Sequence, residues 1–208
     1  MSEQEITIRA QTALQQAGVN KRQFNSATLE MKEIESAAML LLHSLDSPAL
    51  LAPGMLAAGI TIPTKTGQAE GEDPAALCLR PGEWLFFSES LGPAQLQRKL
   101  QPVIDPSRTT LNNTSDAYAV FRLSGAGTPW LLAKLSCLDF LAGSCAGQHC
   151  ARTRMAHAAV LVHYHKPADS EFCFDLIFDR SIAKYMWALL TDSAPHADEL
   201  TTNFGGTL

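Results

Sequence analysis

The sequence predicts an α+β fold, and three observations point there. Strand-like and helix-like segments alternate irregularly, with hairpins between them, which disfavours an all-parallel sheet. Pro48-Ala49-Leu50-Leu51-Ala52 recurs as Pro129-Trp130-Leu131-Leu132-Ala133, each after a strand and a cap residue. The order strand, helix, hairpin, helix runs twice, near residues 29–105 and 106–195. That order weighs more than the shared letters, because Pro-x-Leu-Leu-Ala is a common way to begin a helix. The expected organisation is an N-terminal helix and linker over 1–28, a main domain over 29–197 made of those two halves, and a flexible tail over 198–208.

Taken in order, Ser2 and Glu5 fit a capping box, and Ile6, Ala10, Ala13, Leu14 and Ala17 fall on one helical face before Gly18. Residues 19–28 are polar and read as a linker. Such an arm either docks on another surface or folds back on its own domain. Residues 29–35 alternate as a half-buried strand does, and 38–45 suit a buried strand or a helix end. Ser47 and Pro48 then open a helix as N-cap and first residue; Pro53-Gly54 is expected to break or kink it. Residues 64–73 read as a loop. Strands at 76–80 and 83–88 bracket Pro81-Gly82 as a hairpin. Gly92-Pro93 opens the next helix, which Pro102 ends early.

The second cycle repeats this. Residues 117–123 are a strand, and Thr128-Pro129 opens a helix. A Gly- and Ser-containing loop reaches His149. Residues 151–156, 160–165 and 172–178 are strands, and Asp179 caps a final helix carrying Ile182, Tyr185, Met186, Leu189 and Leu190 at helical spacing.

Composition narrows the function. Hydrophobic residues make up 46% and charged residues 18%, which supports a packed core. With 16 basic and 21 acidic residues and a net charge of −5, the chain is not built to grip a nucleic acid backbone. No apolar run approaches the length of a membrane helix. The acidic, polar start Met1-Ser2-Glu3-Gln4-Glu5 is unlike a signal or transit peptide, and five sparsely placed cysteines form no disulfide framework. The expectation is a cytoplasmic protein with no nucleic acid and no membrane as partner.

Four groups of residues invite chemistry. Cys137, Cys145, His149, Cys150 and His157 are ligand types for zinc, but Cys145-x4-Cys150 is not a zinc knuckle, and no metal site is expected. His163 and His165 share one strand face, as a chelating or acid–base pair would, or as a solvated strand face would. Gly125-Ala126-Gly127 hints at a phosphate loop, yet position 130 is Trp where the dinucleotide fingerprint needs Gly, so a strand-end turn is the simpler reading. Arg152 and Arg154 lie on one face of a strand, with His157 just beyond it. They suit a partner's carboxylates, or they guard an exposed edge strand by charge. These three are the interface candidates. No catalytic constellation emerges.

Three stretches resemble the gamma subunit of heterotetrameric sarcosine oxidase. The first is Leu79-Arg80-Pro81-Gly82-Glu83-Trp84-Leu85. The second runs from Ser115-Asp116 through Val120-Phe121-Arg122-Leu123-Ser124-Gly125 to Leu131-Leu132-Ala133-Lys134 and Cys137-Leu138-Asp139. The third is Cys150-Ala151-Arg152-Thr153-Arg154-Met155-Ala156-His157, then Asp179-Arg180-Ser181 and Tyr185-Met186-Trp187. The central stretch is shared more loosely with the folate-binding domain of the glycine-cleavage aminomethyltransferase. The resemblance implies a folate-binding-domain-like (aminomethyltransferase-like) fold of two intertwined ferredoxin-like halves. It implies an accessory, non-catalytic subunit with no catalytic, cofactor-binding or metal residue of its own. Its partners would be alpha, beta and delta-type subunits, which would carry FAD, FMN, NAD and tetrahydrofolate. The complex would demethylate sarcosine or a related N-methyl amine and pass the carbon to tetrahydrofolate. The alternative is a stand-alone folate-binding or one-carbon-transfer protein.

Overall fold

A computed structural model describes residues 11–35, 37–140, 149–165 and 172–204. The chain runs β1 (Gln23–Asn25), β2 (Glu30–Glu33), β3 (Ala38–Ser44), α2 (Pro48–Ala57), β4 (Ala69–Glu70), β5 (Ala75–Arg80), β6 (Glu83–Ser88), α3 (Pro93–Leu100) and β7 (Thr109–Asn113), after a short α1 (Ala13–Gln16). It continues through β8 (Tyr118–Ser124), α4 (Thr128–Leu135), β9 (His149–Met155), β10 (Ala158–His165), β11 (Cys173–Asp179) and α5 (Ala183–Phe204).

Two antiparallel sheets form. One has the order β4-β5-β6-β3-β7, the other β1-β2-β8-β11-β10-β9. Reading the first as 4-5-6-3-7 and the second as 9-10-11-8-2 exposes the duplication. Each half supplies an interior first strand (β3 or β8), then a helix, then a meander (β4-β5-β6 or β9-β10-β11), then a second helix. In the first half the strand beside β3 is β7, which follows. In the second, the strand beside β8 is β2, which precedes the whole first half. The halves are therefore intertwined, ferredoxin-like units in an α+β fold.

The sheets stack face to face with helices outside. Helices α1, α4 and α5 cover one sheet around Phe121, Phe174, Phe178 and Met186. Helices α2 and α3 cover the other around Leu40, Leu42, Trp84 and Phe86. Between the sheets lies a third apolar layer, with Met39, Leu77, Leu85 and Phe87 facing Val120, Leu161 and Ile177. Strands β6 and β11 are thus buried on both faces, which is why Trp84-Leu85-Phe86-Phe87 and Leu176-Ile177-Phe178 are continuous apolar runs rather than alternating ones. Phe121 anchors its layer edge-on to Phe178 and Trp187, at centroid distances of 4.8 and 5.4 Å.

Several expectations change. Pro53 does not break α2, which continues to Ala57. Both Pro53 and Ala49 lie on its exposed side, where water can replace the missing bond, while Leu51 and Met55 pin the other side into the core. The boundary at 105/106 cuts off β7, and 29 is not where the first half begins, because β2 belongs to the second half's sheet. The supposed linker carries β1, which pairs with β2. Described residues of the arm fold back on the domain: Leu14 is buried in the core beneath α1. The capping box there is Thr12 with Gln15; the one read at Ser2 and Glu5 lies outside the described residues. The tail expected to be flexible from 198 is helical to Phe204, because Asp198 accepts hydrogen bonds from Ser26, Thr28 and the Thr28 backbone.

Candidate functional site

The layer between the sheets is apolar in its middle and charged at both ends. At one end Glu83 opens β6 beside the Pro81-Gly82 turn. Gly82 takes φ +78°, and its carbonyl accepts from the Ser44 backbone at 2.8 Å, so the turn is locked onto the end of β3. This buries Glu83. Arg80 donates to its Oε2 at 2.8 Å and Arg152 to its Oε1 at 2.8 Å, with His43 at 3.8 Å. Burial raises the carboxyl's pKa, but the hydrogen bonds and charges of Arg80 and Arg152 outweigh it, and the group lies below its ordinary range.

At the other end stands Asp175, an acid in the interior of the apolar strand β11, whose other acid, Asp179, ends it. Arg122, directly opposite on β8, grips it with two hydrogen bonds of 2.7 and 2.8 Å. Arg122 also reaches across to Glu89 of the other sheet at 2.7 Å, and His163 lies 3.9 Å from Asp175. Burial works against the Arg122 charge, yet Asp175 and Glu89 hold the guanidinium above its ordinary value.

The predicted interface residues fall at the first end. Arg152 and Arg154 share the face of β9 that looks toward the other sheet, and both are exposed. Arg152 spans the sheets to Glu83, whereas Arg154 donates to the His157 carbonyl at 3.1 Å. His157 is exposed in the β9–β10 turn. Of the zinc-type residues, Cys150 is buried between the sheets and its thiol is pushed up to about 12, by burial first and then by Cys78. Cys137 is exposed, Cys145 lies outside the described residues, and no three His, Cys, Asp or Glu side chains converge among the described residues. His163 is buried on β10 with Asp175; the side chain of His165 lies outside the described ones.

Gly125-Ala126-Gly127 does not open a phosphate cradle. A Cβ at Gly125 or Gly127 would run into Thr28, which packs directly on the turn while the Gly127 backbone donates to the Thr28 carbonyl at 3.0 Å. The glycines permit close approach of chain to chain.

Two cavities lie along the inter-sheet layer. One of about 270 Å³ sits near Leu41, Leu85, Tyr118 and Ile177, and one of about 100 Å³ sits by Asp73, Arg122 and Asp175. Both are below the usual size of small-molecule pockets. The residues that sequence reasoning missed are Glu83, Asp175, Arg122 and Glu89. Only Asp175 carried a signal of its own, a single charge inside a strand-length apolar run.

This arrangement of paired sheets can be compared with known proteins. No protein-family model matches the sequence, and no curated protein sequence is similar to it. Among solved structures, it is similar to a chain of the heterotetrameric sarcosine oxidase from Corynebacterium sp. U-96, in complex with pyrrole 2-carboxylate. The TM-score is 0.75 at 19% identity, over 90% of this chain and 96% of that one. The fold is aminomethyltransferase-like. The glycine cleavage system aminomethyltransferase T from Bartonella henselae is similar at a TM-score of 0.57 and 10% identity, over 79% of this chain and 45% of that one. At these identities the likeness is one of fold. The two matches differ in extent: nearly a whole chain of the oxidase, but less than half of the transferase.

Proposed function

We propose that the chain is the accessory, non-catalytic gamma-type subunit of a cytoplasmic sarcosine-oxidase-type complex. Its partner subunits, of alpha, beta and delta type, carry the flavins, NAD and tetrahydrofolate and demethylate sarcosine or a related N-methyl amine. The observation that carries this reading is the extent of the structural match, which takes in 96% of one chain of a heterotetramer. Two further features favour it. The buried carboxylates between the sheets, Glu83 and Asp175, are both engaged by arginines, and the cavities beside them are small. Helix α2 lies in a stretch without a charged residue from Ser47 to Thr64, and leaves Leu50 and Leu56 71% and 67% exposed. A helix apolar on both faces normally has both covered.

The test is co-purification of the tagged chain from its native host, with an absorbance spectrum of the captured material. Flavin-containing partners are expected. A chain with Leu50→Glu and Leu56→Glu is expected to keep its melting temperature and capture at least tenfold less flavin. Capture of no flavoprotein, together with saturable calorimetric binding of tetrahydrofolate to the isolated chain, would replace this reading with a stand-alone folate-binding protein.

A further inference from the structure

The two described sheets end in four edge strands, β1, β9, β4 and β7. Three of them are short or charged. β1 has three residues and β4 two, while β9 carries Arg152 and Arg154. Short strands and charged side chains are the usual defences of an edge against pairing with another chain. β7 has neither. It is Thr-Thr-Leu-Asn-Asn, with no charge and no proline, and it pairs with β3 without a bulge. The duplication sharpens the contrast. The equivalent strand of the other half, β2, has its outer side covered by β1, whereas β7 ends its sheet.

The register fixes which backbone groups are open. The Thr114 N–H donates to the Met39 carbonyl at 2.8 Å, and the Arg108 carbonyl accepts from Leu45 at 3.0 Å. Even-numbered residues of β7 therefore turn their backbone groups to β3, and Thr109, Leu111 and Asn113 turn theirs outward. The Thr109 N–H is taken by the Asp105 carbonyl at 2.8 Å. Those of Leu111 and Asn113 have no hydrogen-bond partner among the described residues. We propose that β7 pairs antiparallel with β7 of a second copy of this chain, Leu111 opposite Leu111, so that the two sheets become one. In that register the two Leu111 residues exchange both backbone bonds, and each Asn113 N–H meets the other copy's Thr109 carbonyl. No outward N–H is left over, and the Thr109 N–H, already taken, is not needed. The charges agree as well. An uncharged strand can face its own copy without setting like charges together. Arg108 comes opposite the other copy's Thr114, beside the acid of that copy's Asp116, and both Arg108 and Asp116 are exposed. This contact is separate from the proposed subunit role, and capture of flavoproteins neither requires nor excludes it.

The test is sedimentation of the isolated full-length chain across the micromolar range, with amide hydrogen exchange followed at Leu111 and Asn113. A reversible dimer is expected, in which exchange at these two amides is slowed at least tenfold. Thr110 and Asn112 are exposed, and the register sets Thr110 of one copy opposite Asn112 of the other. Thr110→Lys with Asn112→Lys is expected to keep the melting temperature and weaken the dimer at least tenfold, because lysines then face lysines. Thr110→Glu with Asn112→Lys sets opposite charges face to face and is expected to restore it. A chain that stays monomeric throughout overturns the proposal and leaves the edge to a strand of another protein. So does a dimer that the paired lysines leave unchanged, or one that Leu50→Glu with Leu56→Glu dissolves, which puts the contact on α2. So does a dimer with unslowed exchange at Leu111 and Asn113, a result that needs no variant.

Discussion

The two ends of the inter-sheet layer are built on one plan and differ in exposure. Each places an acid on the last strand of its meander, Glu83 as the first residue of β6 and Asp175 as the third of β11. Each sets a basic residue opposite on the first strand, His43 or Arg122. Each takes a third group from the other sheet, Arg152 at one end and Glu89 at the other, with opposite sign. At the Asp175 end the guanidinium is only 18% exposed, whereas Arg80 and Arg152 at the Glu83 end are 58% and 55% exposed. The lesson is that a shared layout does not fix the energetics. One end is a sealed ion pair with little room to relax, and the other is a buried acid served from water by two cations that can turn away.

That contrast makes Asp175→Ala the most damaging change. It leaves the largely buried Arg122 with the half-exposed Glu89 as its carboxylate partner and is expected to cost about 3–5 kcal/mol, measured as the shift in urea unfolding. Replacing the pair together, Arg122→Met with Asp175→Leu, is expected to cost less than Asp175→Ala alone, since the charge left without its cation, Glu89, is 41% exposed and can be solvated. If the single change costs no more than its counterpart at the other end, the distinction between sealed and open ends fails.

Glu83→Gln is expected to cost about 1–3 kcal/mol at neutral pH, because it weakens two charge-assisted bonds while its arginines can still reach water. The pH dependence follows from the lowered carboxyl. A depressed folded-state pKa stabilises the fold above the ordinary value of 4.5, and this contribution is lost as pH falls through the folded value. The gap in urea midpoint between the unaltered chain and Glu83→Gln is therefore expected to close as pH drops below 4.5. A gap that holds constant down to the acid transition would mean that Glu83 acts by shape alone. The smallest effect is expected from Arg152→Ala, under about 1 kcal/mol, because its side chain is largely in water and Arg80 still serves the acid. A larger loss by the same measurement would move Arg152 into the class of Arg122.

Much of this fold is legible in the sequence. The β5–β6 hairpin, the strands from β8 to β11 and the helix after Asp179 follow from apolar runs and turn residues within a residue or two. The strands that escape, β1, β4 and β7, sit at sheet edges: β4 is two residues long within the stretch read as a loop, and β1 and β7, Gln-Phe-Asn and Thr-Thr-Leu-Asn-Asn, have mostly exposed side chains, so no apolar pattern marks them. Period-two spacing placed Arg152 and Arg154 on one face. It could not find the acid that Arg152 meets, because Glu83 belongs to the other sheet and only the stacking of the two brings them together. Pro53 shows the opposite failure, a correct local rule overruled by what Leu51 and Met55 bury.

The placement of β2 beside β8 has a consequence for how the molecule comes to be made. On a growing chain β2 emerges early, but its neighbour in the sheet appears only after the entire first half has been synthesised. Until then β2 has only the short β1 to pair with, and a two-stranded ribbon is at best marginally stable in water. The first half can complete its own sheet with β7 as soon as it leaves the ribosome. The second half cannot complete its sheet from its own sequence. It must recover a strand handed out long before, so synthesis order and assembly order part company at the place where the halves are joined.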